Sequence, residues 1–312
     1  MTFYKLGILM IKLRLTFFTL IVFFVNTVAF SAQPERIAVA GGSITEIIFK
    51  LGEQDRIVGV DSTSTFPEEA KNFPILGYVR NISAEGVLSL KPDLLLGEDD
   101  TGPTKTLKQV ESVGVKTVII HEDNSLPALK NKITKIAQLL NVEEKGEALL
   151  DEIQIDIDAL AYANKQLSAS DTKSPRVLFL LTIGNGTPIA AGGETSANTV
   201  IKDARGINVL ADYKGWKKLS PESALDLNPD VIIVMNRGGN VFEQVSELSH
   251  FKYTTAVKNK AIHTIDGNYL LGFGPRTPQA IVELGTMIYK DFPLPEGYTF
   301  RYPHDVSSIS GH

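Results

Sequence analysis

ISAEGVLSLKPDLLL, residues 82–96, returns further along the chain as LSPESALDLNPDVII, residues 219–233. The two align without gaps, and six of fifteen positions are identical: Ser, Glu, Leu, Leu, Pro and Asp. Each copy opens on a serine suited to cap a helix N-terminus, Ser83 or Ser220. Each then runs through a short helix, turns at Pro-Asp and enters an apolar run of strand character. One such unit is a common α/β element. Two copies flanking a long helical stretch predict a duplicated architecture.

Working outward, RIAVA (36–40), RIVGVD (56–61), PDLLLG (92–97) and KTVIIH (116–121) read as buried strands. Between them lie helical patterns, ITEIIFKLG after Gly41-Gly42-Ser43 and KTLKQVESVG at 105–114. Strand–helix alternation predicts a parallel α/β sheet. From Leu126 to about Leu167 the period stays helical, with one break near Asn141. SASDTKSP (168–175) is a polar linker, and a second α/β unit follows with RVLFLL (176–181), a helix at 196–204, PDVIIVM (229–235) and AIHTID (261–266). The fold class expected is therefore α/β: two similar lobes joined by a long interlobe helix, with a ligand cleft between them. The boundaries are a targeting segment at 1–31, an N-terminal lobe at 32–124, a linking helical segment at 125–170, a C-terminal lobe at 171–292 and a tail at 293–312. That tail carries Tyr298, Tyr302 and His304 and reads as a frayed end.

The chain has 312 residues and a net charge of −5, which disfavours nucleic acid or an anionic membrane as its main partner. Lys5, Lys12 and Arg14 precede the apolar run LTFFTLIVFFVNTVAF, and Ala29 and Ser31 form a small-residue cleavage box. This order is that of a secretory signal, with cutting before Ala32; the alternative is a retained membrane anchor, for which the apolar run is short. The sequence contains no cysteine. It offers no disulfide, no thiolate for chemistry and no lipid-acceptor thiol after the signal. Export to the periplasm as a soluble protein is the expectation.

No catalytic constellation stands out. The histidines, His121, His250, His263, His304 and His312, show no metal-binding spacing. Gly41–Thr45 lacks the nucleophile-elbow pattern, and GNGTPIAAGG (184–193) is a turn-rich loop at a strand end rather than a phosphate cradle. GYVRNISAEG (77–86) is more informative, because Tyr78 and Arg80 share a face of any extended segment. Tyr78 is either a half-buried aromatic with a wet hydroxyl or a ligand. A phenolate is a hard donor suited to ferric iron, and tyrosine is a proximal haem ligand. A free phenol ionises only near pH 10, so a neighbouring guanidinium is what such a ligand requires. Arg237 in MNRGG and Arg276 in LLGFGPRTPQA lie at comparable strand ends of the second lobe, where they fit ligand carboxylates or surface ion pairs. Phe273 and Met235 are candidates for an apolar wall.

RIAVAGGSITEIIFKLG, VGVDSTSTFPEEAKNFPILGYVRNISAEGVLSLKPDLLL and LLGFGPRTPQA together resemble the haem-binding proteins of bacterial ABC importers, within the wider group that also binds cobalamin and siderophores. The resemblance runs from Arg36 to Phe292. It implies two α/β lobes bridged by one long helix. It implies Tyr78 as axial ligand to the ferric iron of transported haem, Arg80 as its hydrogen-bonding neighbour, and Arg237 facing the haem from the other lobe; the GFGPRTP match brings Arg276 to the same site or to a structural role. Some relatives add a histidine near the glycine-rich loop. LTIGNGTP has none, so five-coordinate haem or a weak second partner is expected. Glu85 and Glu222, equivalent in the two repeats, are implied to dock onto the importer's permease, and an outer-membrane haem receptor system would lie upstream. The function implied is haem capture and delivery, without enzymatic activity. The alternatives are a siderophore or cobalamin carrier on the same fold, or a periplasmic cleft enzyme using an acid–base pair from Asp61, Glu98, Asp99 and Asp100.

Overall fold

The computed structural model describes residues 33–121, 123–184, 187–235 and 241–302. The targeting segment with its cleavage box, Arg237 and His304 lie outside the described residues. The first lobe comprises β1 (Ile37–Ala40), α1 (Gly42–Lys50), β2 (Ile57–Val60), β3 (Gly77–Tyr78), β4 (Asn81–Ile82), α2 (Ala84–Ser89), β5 (Leu94–Glu98), α3 (Thr104–Ser112) and β6 (Lys116–Ile120). Its main sheet is parallel, in the order β2-β1-β5-β6. The central strand β1 is buried at every position, which is why it reads as an unbroken apolar run rather than an alternation.

Two helices follow, α4 (Leu126–Leu140) and α5 (Glu143–Ala169). The break between them is Asn141, in the left-handed conformation at φ 54° and ψ 47°, a backbone state asparagine tolerates. At 27 residues α5 spans about 40 Å. Its first half gives Leu149 and Ile153 to the core of the first lobe, and its second half gives Ala159, Leu160 and Leu167 to the core of the second. One rigid rod is thus shared by two cores.

The second lobe comprises β7 (Arg176–Thr182), β8 (Ile189–Ala191), α6 (Ser196–Asp203), β9 (Ile207–Asn208), β10 (Trp216–Lys218), α7 (Pro221–Leu227), β11 (Val231–Met235), α8 (Val241–Glu247), α9 (Thr255–Lys258), β12 (Ile262–Ile265), α10 (Gly267–Leu271) and α11 (Thr277–Ile288). The sheet order is β10-β8-β7-β11-β12, with β9 on the flank of β7. Unlike the first sheet it is mixed: β8 and β10 run antiparallel. Part of the stretch expected as a loop, 184–193, is strand β8, too short at three residues to show a period.

The repeat is real in three dimensions. Ser83 accepts a hydrogen bond from Gly86 N and Ser220 from Ser223 N, capping α2 and α7. Both helices give way to a residue of positive φ just before proline, Lys91 at 48° and Asn228 at 35°. Asp93 then accepts from Glu35 N at 2.8 Å and Arg36 N at 3.2 Å, while Asp230 accepts from Arg176 N at 2.9 Å. Arg36 donates back to Leu90 O at 2.6 Å and Arg176 to Leu227 O at 2.8 Å. The repeated aspartate therefore ties each helix–strand turn to the start of its lobe's first strand.

The tail does not fray as far as Tyr302. Tyr298 donates to Asp156 at 2.8 Å, and Arg301 pairs with the same carboxylate and donates to Glu152 O at 3.0 Å. Tyr302 donates to Glu152 at 3.0 Å and also meets Lys50 of α1. Apolar rings and a buried carboxylate on α5 hold the segment down, partners that lie far off in sequence.

One carboxylate is poorly placed. Asp203 ends α6, where the helix dipole opposes negative charge, and burial pushes its pKa up. A raised folded-state pKa favours folding below the ordinary carboxylate value and is lost as pH rises through the shifted one. Asp203→Asn should therefore raise stability at neutral pH by about 0.5–1 kcal/mol, with the gain vanishing in acid. Urea melts at the two pH values check this; an equal gain at both would contradict it.

Candidate functional site

A cleft of about 460 Å³ lies between the two sheets, within the usual range for small-ligand sites. On the first-lobe side its wall is the hairpin β3–β4, in which Gly77 pairs with Ile82 and Tyr78 with Asn81. Gly77 has φ 114°, and a Cβ there would lie 2.7 Å from Asn81 O, so the hairpin needs glycine. The turn is pinned to the neighbouring loop by Ile82 N to Gly102 O, 2.8 Å, and Gly102 N to Val79 O, 3.0 Å. Val79 turns into the core, and the alternation of an extended chain puts Tyr78 and Arg80 outward. Tyr78 is 49% exposed and lines the cleft.

Arg80 also lines the cleft, but its hydrogen bonds go to Asp100, from Nε at 3.0 Å and from its terminal nitrogen. That bond holds the guanidinium pKa above its ordinary value, with smaller contributions from the Tyr78 and Glu98 charges. Asp99 is paired with His121 in the same acidic loop. Asp61 lies in the interior and accepts from Gly41 N at 2.9 Å, Thr63 N at 2.8 Å and Ser64 Oγ at 3.1 Å. It organises the loops beneath the cleft rather than facing a ligand.

The floor joins the lobes. Glu46 of α1 pairs with Arg276 at 2.9 Å and accepts from Arg276 N at 3.1 Å. The guanidinium stacks on Phe66, 3.4 Å from the ring centroid. Burial pushes the Glu46 carboxyl above its usual range, and Arg276 pulls it back only in part. Asn268 adds bonds to Thr63 O at 3.1 Å and Thr65 Oγ1 at 3.0 Å. Arg276 therefore borders the cleft with one terminal guanidinium nitrogen committed to Glu46.

On the second-lobe side stand Glu194 to Ser196, Gly215, Trp216, Leu271 and Gly272. Phe273, expected as an apolar wall, is 1% exposed and packs inside the second-lobe core. The aromatic surface comes instead from Phe66 and Trp216, neither of which carries a motif. Met235 is half-buried against the same core. Glu85 and Glu222 are exposed in the first turns of α2 and α7. Hydrogen bonds from its own backbone and from Ser220 hold the Glu222 carboxyl below its ordinary pKa. Among the described residues no cluster of histidine and carboxylate suits a metal ion, and no helix is long and apolar enough to cross a membrane.

Known proteins resemble this chain in sequence and fold. A periplasmic heme-binding protein, RhuT from Roseiflexus sp. RS-1 in apo form, is 37% identical with a TM-score of 0.75, over 83% of this chain and 99% of that one. The periplasmic heme-binding protein BhuT, in complex with two hemes, is 32% identical with the same TM-score and coverage. An ABC transporter substrate-binding lipoprotein of Bacillus subtilis, YvrC, is 27% identical over 85% of this chain and 83% of its own length. The vitamin B12-binding protein of Yersinia pseudotuberculosis is 26% identical over 69% of this chain and 74% of its own. The family of periplasmic binding proteins matches residues 37–269, from β1 of the first lobe into α10 of the second. This chain is a member of the periplasmic binding protein family, built as a two-lobed substrate-binding protein of ABC importers.

Proposed function

We propose that the protein captures haem outside the cytoplasmic membrane and delivers it to its importer, without covalent chemistry. The observation that carries this is the position of Tyr78: a half-exposed phenol on a rigid hairpin, facing a cleft between two lobes. A phenolate there binds ferric iron, and the guanidinium of Arg80, two residues on and held by Asp100, borders the same cleft. Phe66 and Trp216 offer apolar surface to a porphyrin, and Arg237 is retained as a second-lobe contact. The N-terminal run of basic and then apolar residues supports export.

Titration of the purified mature protein with hemin tests this. The expected result is a saturable Soret shift with a ferric tyrosinate charge-transfer band. The similarity to a vitamin B12-binding protein favours cobalamin as the second reading; binding of cyanocobalamin with no response to hemin would establish that instead.

Glu85 and Glu222 are proposed as the permease contacts, one on each lobe at matching places in the repeat. Reversal of both, Glu85→Lys with Glu222→Lys, should abolish haem uptake by cells while leaving hemin affinity within about twofold, as expected of exposed charges far from the ligand. Normal uptake by the double variant would remove this role.

A further inference from the structure

Trp216 is the chain's one tryptophan, and it is 41% exposed, although tryptophan is highly buried on average. It sits on β10, the edge strand of the second-lobe sheet, and lines the cleft whose opposite wall carries Tyr78. Its position is fixed from two sides. Trp216 pairs with Ala191, and Leu180 with Ala190, so Trp216, Ala191 and Phe179 fall in one row across the sheet. The small alanine between lets the indole lean on Phe179, with ring centroids 6.3 Å apart at 58°. The preceding turn is laced by backbone bonds, Gly192 N to Gly215 O and Gly215 N to Gly193 O, each 2.8 Å. A Cβ on Gly192 would lie 2.1 Å from Tyr213 O, so this close approach requires glycine.

We infer that Trp216 is the stacking platform for the ligand face turned away from Tyr78. This rests on the haem reading above. An indole already held by Phe179 stacks with little loss of side-chain freedom. A planar conjugated ring offers the indole a π-face to stack on. Stacking needs no metal, so Trp216 and Tyr78 contribute separably: one recognises the ring, the other the iron.

The separation is the test. Hemin and metal-free protoporphyrin IX are titrated against wild type, Trp216→Ala, Trp216→Phe and Tyr78→Phe, with thermal melts confirming that each variant is folded. Trp216→Ala should weaken both porphyrins roughly tenfold, the scale of losing one aromatic platform, and keep the tyrosinate band; Trp216→Phe should restore most of the loss. Tyr78→Phe should weaken hemin and leave the metal-free porphyrin nearly unchanged. If Trp216→Ala binds both porphyrins as wild type does, the platform is refuted while the haem reading stands. If the wild type shows no Tyr78-dependent hemin spectrum, the haem reading fails and the platform falls with it.

Discussion

Tyr78→Phe will cost the protein at least about 100-fold in hemin affinity, near 2.7 kcal/mol, and will erase the charge-transfer band. The substitution keeps the ring on the cleft wall and removes only the oxygen. Because Tyr78 is half exposed on a hairpin held by backbone bonds and by the buried Val79 and Ile82, folding should be unaffected. The loss then reports the iron bond alone. Tyr78→His gives the complementary result: imidazole is also a haem ligand, so affinity should recover in part with an altered spectrum. A Tyr78→Phe protein that retained both affinity and band would show that the iron is bound elsewhere.

The second large effect is on stability. Arg276→Met leaves Glu46 buried at the interlobe floor without its cation, and breaking such a pair typically costs about 3–5 kcal/mol. For a chain of this size the melting temperature should fall by about 10 °C. The pH dependence has a definite sign. Burial already holds the Glu46 pKa above its ordinary value, and removing Arg276 takes away the charge that offsets it. A carboxyl whose folded-state pKa is raised stabilises the fold below its unfolded pKa, and that contribution is lost as pH rises through the folded one. The deficit of Arg276→Met should therefore be large at neutral pH and shrink in acid, where Glu46 is protonated. A double variant, Glu46→Leu with Arg276→Met, should recover much of the loss, since an apolar pair of similar volume replaces a buried ion pair at little penalty. Thermal melts of the three proteins at two pH values decide the matter. A deficit that is independent of pH would mean that Arg276 acts through its stacking on Phe66 and not through charge.

The exposed Tyr78 and the buried Arg276 mark where sequence reading succeeds and fails. Hydrophobic runs, helix caps and the Pro-Asp turn are local signals, and they foretold the longer strands of both lobes, the break at Asn141 and the internal repeat. The short strands β8 and β10 have too few residues for a period, so the antiparallel half of the second sheet was not visible. Phe273 shows the limit within a motif: a phenylalanine beside GPR reads equally well as wall or as core, and only packing tells which. The tail misled for a similar reason, since Tyr298 and Arg301 are anchored by Asp156 on a helix more than a hundred residues earlier.

By itself the sequence determined the two-lobed α/β plan, the rod-like link between the lobes and the placing of Tyr78 and Arg80 on one face, because capping, periodicity and alternation act over a few residues. Only the tertiary structure decided that Arg276 answers Glu46, that Asp100 holds Arg80, and that Trp216 rather than Phe273 faces the cleft. Those outcomes depend on which surfaces meet between segments that no local signal links, 20 residues apart for Arg80 and Asp100 and 230 for Glu46 and Arg276, and burial, not residue type, sets what each side chain can do there.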